Sequence, residues 1–315
     1  MIMQELEDAT RVSPQALIGF RPGTTEVRQK LQWASTRITT VQEDIAYSLI
    51  GIFDVTLIVN YGEKEKALGR LLEVIVSRSG DVTALDWMGQ SSEYNSCLPA
   101  DIAVYEAPAY ASSFVSQEEM EILVSGLRTS VAAEMALTLH NKLDHQPSPR
   151  FANQWLTLPC IVFPLTALTK RTDGRFGSKV YYAAADGLED VEITTADTLS
   201  PFSPFRPAHP GWEMLLVRPW NRDLLRAANL ASRNAIDAPP PSNAIIPEPS
   251  SQPTPKFDTL TEALMLIARL KQPFAALLLM RQRSGEYKRI ASDNDIIARV
   301  RDVNMLTDIR SIDII

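Results

Sequence analysis

The sequence predicts an α+β protein, a helical N-terminal region followed by an antiparallel β-rich region. Three observations carry that expectation. Before about residue 145 the apolar residues recur at helical spacing. After about residue 151 they fall in short runs set off by turn pairs such as Asp-Gly and Ser-Gly. The chain has 315 residues, 45% of them hydrophobic and 22% charged, so it can bury a sizeable core without disulfide or metal. We divide it into a helical region over 1–88, a loop plus long helix over 89–150, and a β-rich region over 151–315.

Residues 4–31 read as helix, loop and helix. Ser13 before Pro14 is an N-cap followed by proline at the first helical position, and Gly19 closes that short helix. Thr25 is placed to cap a helix from Glu26 to Ala34. Thr39 or Thr40 caps the next, and Glu43 completes a capping box with Thr40. Ile45, Leu49, Ile52 and Phe53 lie on one face of that helix, while Asp44 sits in its first turn, where a negative charge suits the dipole. Gly62 opens a further helix with Leu68, Leu71, Leu72 and Ile75 as its apolar stripe. Glu63, Lys66, Arg70 and Glu73 lie largely opposite.

Residues 79–115 are broken by Gly80, Gly89, Pro99 and Pro108 and read as loop with short extended pieces. Ser116, with Glu119 three residues on, begins one long helix whose stripe runs through Met120, Leu127 and Met135 to about Leu143. Gln154–Leu165, Lys179–Ala184, Val191–Thr195 and Trp212–Arg218 are strands, with turns at 173–174 and 186–187. Phe274–Arg281 and Glu286–Ala291 form a hairpin about Ser284-Gly285. Ile296–Arg301 extends it or forms a short helix. Between Ile236 and Lys256 seven of twenty-one residues are proline, a solvated insertion, and Leu260–Leu270 after it is an amphipathic helix.

The net charge of −7 and pI near 5.2 argue against nucleic-acid binding and against docking on anionic membranes. No run reaches the roughly 18 apolar residues of a membrane helix. The acids in MIMQELEDATR do not suit a signal peptide, so the expectation is a cytoplasmic protein. Cys97 and Cys160 lie outside metal-ligand spacing and read as buried reduced thiols. His140, His145 and His209 read as surface residues, not as a metal or acid–base set. Gly174 to Lys179 lacks the spacing of a phosphate loop and reads as a hairpin turn. No cofactor is expected.

Among the acids, Glu43 and Asp44 are adjacent on a helix and diverge by about 100°, so they cannot share one catalytic site. Capping accounts for them. Arg37 is placed to pair with Asp44 or Glu63. Tyr47 sits at the core edge with its hydroxyl wet, the Tyr61 ring packs under the connector, and Trp33 anchors the same cluster.

The order of these residues resembles a family pattern. Trp33, Arg37, Glu43, Asp44, Tyr47, Gly51 and Phe53, then Tyr61, Gly62, Glu63, Lys66 and Arg70, are similar to the segment that follows the core of the fungal HET (heterokaryon incompatibility) domain. Asp81 and Trp87 in RSGDVTALDW match the end of that pattern. The remainder is similar to the tail of mushroom-type members. The connector departs from the family's, with Ile58, Asn60 and Lys64 where it has proline, leucine and glycine. The resemblance implies a place in fungal nonself recognition and programmed cell death. It also implies that the HET effector core would lie before residue 1, so the expectation is a chain lacking that core. The expected function is a non-enzymatic regulatory or interaction module with a protein partner. The alternatives are an NAD- or nucleotide-cleaving hydrolase of TIR-like type, or a truncated product without independent activity.

Overall fold

The computed structural model describes residues 5, 12, 14–110, 116–173, 177–205, 213–225 and 259–315. The Pro-rich stretch at 236–256, His209, Trp212, the Ser13 cap, the helix expected from residue 4 and the Gly174 turn position lie outside them.

Among the described residues the first elements are four helices: α1 (Pro14–Ile18), α2 (Val27–Ala34), α3 (Glu43–Phe53) and α4 (Lys66–Ser79). Leu49 and Phe53 of α3 and Leu71, Leu72 and Ile75 of α4 are fully buried, as the spacing predicts. The caps differ from expectation. Glu26 precedes α2 in the left-handed region, with φ 53°, and makes no side-chain cap, so Thr25 does not serve. Gln42, not Thr40, is the N-cap of α3, and the capping box is absent. Gly62 and Lys64 have φ of 99° and 53°. A helix cannot pass through that backbone, so α4 begins at Lys66.

Two 3-10 turns, Val82–Leu85 and Ile102–Glu106, punctuate the following loop; Asp81 and Asp101 accept from the Thr83 and Ala103 amides to start them. The long helix expected next is two helices, α5 (Gln117–Ser130) and α6 (Ala133–Asp144), bent by 119°. The expected Ser116–Glu119 capping box is present. The break follows Gly126, whose carbonyl accepts from the Thr129 and Ser130 hydroxyls, and Val131 is extended. Side-chain competition for helix carbonyls over a glycine weakens the last turn enough to end it.

The strands are β1 (Arg150–Ala152), β2 (Trp155–Asp173), β3 (Lys179–Ala185), β4 (Val191–Thr195), β5 (Met214–Pro219), β6 (Phe274–Arg281), β7 (Tyr287–Ile290), β8 (Ile296–Ala298) and β9 (Ile309–Ile314), with α7 (Thr259–Leu270) before β6. They form one nine-stranded sheet with the path β4-β3-β2-β5-β6-β7-β9. Every pairing is antiparallel except a single β7–β9 bridge at Tyr287 and Ile314. The long β2 organises the sheet. Its first part pairs with β9, its middle with β5 and its last part with β3. The hairpin β6–β7 stands as predicted, and Ile296–Ala298 is a strand, paired to the start of β6.

Alternation along these strands feeds two cores. Leu156, Leu158, Cys160 and Val162 of β2, with Leu215, Val217, Leu277, Leu279 and Ile312, join the buried faces of α2, α3 and α4. Ile161, Phe163, Leu216 and Leu278 point the other way and join α5, α6 and α7. Helices cover both faces, so the central strands are apolar throughout and read as continuous hydrophobic runs. Among the described residues no single helix is long and apolar enough to cross a membrane.

Candidate functional site

The family-pattern residues gather where α3 meets the connector to α4. Glu43 is buried, and its Oε1 accepts the Gly62 amide at 2.7 Å and the Lys64 amide at 2.9 Å. The Lys64 amide first, then Glu43's own, hold this carboxyl below the usual range; burial opposes them and the Gly62 amide adds to them. The carboxylate that was expected to cap its own helix therefore grips the turn ahead of the next one. Glu63 receives Arg70 Nη1 at 2.6 Å, and Arg70 Nη2 donates to the Ile58 carbonyl at 2.7 Å.

Tyr47 is not simply wet. Its hydroxyl accepts the Asn60 amide at 2.8 Å and lies 3.0 Å from Glu63 Oε1. Tyr61 donates to Asp44 Oδ1 at 2.9 Å and meets the Tyr47 ring edge-on at 5.6 Å, yet most of it is exposed, so it does not pack under the connector. Arg37 is exposed, and its two expected partners are engaged by Arg70 and Tyr61. Trp33 is half-buried outside the core cluster, beside Ser35 and Glu106. The buried anchor is Trp87, whose Nε1 donates to the Cys97 carbonyl at 2.9 Å. Lys66 is exposed; Gly51 lies mid-helix with open space where a Cβ would sit. These residues clasp a connector. The acids face backbone amides and side-chain donors instead of converging in a cleft.

Around the clasp several large apolar side chains stand in solvent. Ile38 is 95% exposed and Ile58 79%, and Val41, Val59 and Tyr61 are exposed with them. The Tyr61–Asp44 and Gly62–Glu43 bonds bring the connector to the start of α3, where Ile38 and Val41 lie.

Three arginines are buried with carbonyls as partners. Arg28 donates to the carbonyls of Asp86, Tyr105 and Ala107 and stacks on the Tyr105 ring. Arg289 donates to the Leu85 and Trp87 carbonyls and lies 4.1 Å over the Trp87 ring. Arg218 donates to the Leu270 carbonyl at 2.8 Å, at the end of α7, and lies 4.5 Å over Phe274. None of the three was expected from the sequence, because a basic residue on a helix, like Arg28, or on a strand, like Arg218 and Arg289, carries no local sign of burial.

Two depressions lie beside these arginines. An open groove of about 870 Å³ runs past Arg281, Lys288 and Asp293. A smaller cavity of about 270 Å³ is lined by Arg218, Phe274, Trp87, Asp86 and Asp295 among others. Burial pushes the Asp86 and Asp295 carboxyls up; Asp86 adds to the effect on Asp295, and Arg289 opposes both shifts. The cysteines are buried and unpaired, as expected, and burial pushes the Cys97 thiol up to about 12. Of the histidines, the exposed His145 donates from Nδ1 to the Asn141 carbonyl at 2.7 Å, whereas His140 is half-buried with an enclosed Nδ1 that has no partner. Among the described residues no group of His, Cys, Asp and Glu is placed to hold a metal ion.

No family model matches the chain, and no solved structure matches it. Over 76 residues it is 46% identical to the vegetative incompatibility protein HET-E-1 of Podospora anserina. That segment is 24% of this chain and 6% of the length of that relative. The likeness, on about a quarter of its length, relates this chain to a vegetative incompatibility protein.

Proposed function

We propose that the chain is a non-enzymatic, cytoplasmic interaction module of fungal vegetative incompatibility, with the HET-associated segment as the face that meets a protein partner. The observation that carries this reading is the exposed apolar set Ile38, Val41, Ile58, Val59 and Tyr61, held in place by the Glu43 and Glu63–Arg70 bonds beneath it. A cluster of exposed apolar side chains on a bonded support is what a protein interface presents. The acids that a hydrolase would use are occupied in the same region, Glu43 by two amides and Glu63 by Arg70.

The test is a graft. The matched 76-residue segment of HET-E-1 is replaced by the corresponding segment of this chain, and the incompatibility reaction is scored in cells. The graft should retain the reaction, and Ile58→Asp with Val59→Asp in the graft should abolish it. Both positions are solvent-facing, so the purified double variant should keep the parent's melting temperature. A charged graft that still reacts would sink the proposal, and so would NAD hydrolysis by the purified parent chain.

A further inference from the structure

The cavity under Arg218 is built around an uncompensated cation. Arg218 is 7% exposed. A guanidinium carries five N–H donors, and the protein accepts from this one through the Leu270 carbonyl. Arg218 is one of the residues that line the cavity. Burial alone pushes its pKa down to about 10, with no carboxylate among the described residues acting on it. Leaving a buried charge without a counter-ion is costly. The same geometry is favourable where an anion arrives from outside, because guanidinium forks suit carboxylates.

The same cavity has two acids in its lining, Asp86 and Asp295. The Asp86 carbonyl accepts from Arg28 Nε at 3.0 Å, whereas Arg218 is held at the end of α7 by the Leu270 carbonyl. Arg289 is already taken by the Leu85 and Trp87 carbonyls, so it does not compete for an incoming anion as Arg218 does. Asp86 Oδ2 holds the Tyr110 amide at 2.8 Å, and Asp295 is exposed at the rim. Phe274 and Trp87 add aromatic wall. The volume of about 270 Å³ falls just under the range for drug-sized ligands and suits a small metabolite.

We infer that this cavity binds a small zwitterion of α-amino-acid type, its carboxylate received by Arg218 and its ammonium by Asp295 and Asp86. The apolar wall takes the side chain. The site is separate from the surface proposed for protein contact, and neither reading depends on the other.

Isothermal titration calorimetry of the full chain with each of the twenty L-amino acids tests it, with acetate and methylamine as probes of each charge alone. At least one amino acid should bind with Kd below about 1 mM. Arg218→Met, which keeps an apolar contact on Phe274, should weaken it at least about tenfold, and Asp295→Asn should weaken it several-fold. Acetate and methylamine should each bind at least about tenfold more weakly than the best amino acid. Asp295 is at the rim, so its variant keeps the test decisive should Arg218→Met fold poorly. Absence of binding by every amino acid, unchanged affinity in Asp295→Asn, or acetate binding as tightly as the best amino acid would each overturn the inference.

Discussion

Glu43 in the clasp and Arg218 in the cavity are both buried charged residues, and they end in opposite conditions. Glu43 uses one oxygen for two amides, and its neighbours Glu63, Arg70, Tyr47 and Asn60 close a network on themselves. Arg218 gives one bond to the end of a helix and lines an open space. Of the residues that make the family pattern recognisable, Glu43, Tyr47, Glu63 and Arg70 are bonded to one another or to the connector, while Arg37 and Lys66 stay exposed. The bonded four shape the connector. Arg218 lies on strand β5, in a stretch without any motif.

Arg289 ties the cavity wall to the loop that carries Trp87, and breaking that joint should have the largest effect. Its guanidinium covers Trp87 and satisfies the Leu85 and Trp87 carbonyls, and its amide donates to Ser96 Oγ at 2.9 Å. Arg289→Ala orphans two buried carbonyls and leaves a void, at a cost of about 3 kcal/mol or more. Urea denaturation would read this as a lower midpoint; an unchanged midpoint would show that the joint is not structural.

Next in size is Gly69 on α4. A Cβ there would lie 2.7 to 2.8 Å from the Tyr94 ring and its Cβ, too near the backbone for the side chain to swing clear. Gly69→Ala should destabilise by about 1–3 kcal/mol. Gly51 on α3 belongs to the family pattern but meets nothing within 4 Å. Gly51→Ala should therefore stabilise, by about 0.5–1 kcal/mol, through helix propensity alone. Thermal melts of the two variants side by side sharpen the contrast: destabilisation by Gly51→Ala would mean that the pattern marks a packing constraint absent from this geometry.

Local periodicity carried much of the fold. The stripes of α3, α4 and α7 and the β6–β7 hairpin are all legible, because burial of one face imposes a period on the residues. Strand β9 went unread. Its pattern Ile309-Arg310-Ser311-Ile312-Asp313-Ile314 is half polar, and its partner β2 lies about 150 residues earlier, so nothing nearby announces the pairing. The break between α5 and α6 was equally hidden, since the apolar stripe continues across it. At the clasp, the sequence identified Glu43 as important and assigned it the wrong amides. A carboxylate at a helix start satisfies the same pattern whether it turns back to its own helix or reaches 19 residues onward to Gly62. The cavity was illegible because burial of an arginine is a property of the assembled sheet.

The most direct test of the clasp is amide hydrogen exchange at Gly62 and Lys64, in the parent and in Glu43→Ala, from neutral pH down through the acid range. The folded carboxyl titrates below its unfolded value of about 4.3, so its contribution is complete above that pH and is lost as pH falls through the lower, folded value. The account predicts protection factors at both amides that hold at neutral pH and fall on acidification. In Glu43→Ala they should be low at every pH, with the core amides of α3 and α4 unchanged. Parent-like protection at Gly62 and Lys64 in Glu43→Ala would contradict it.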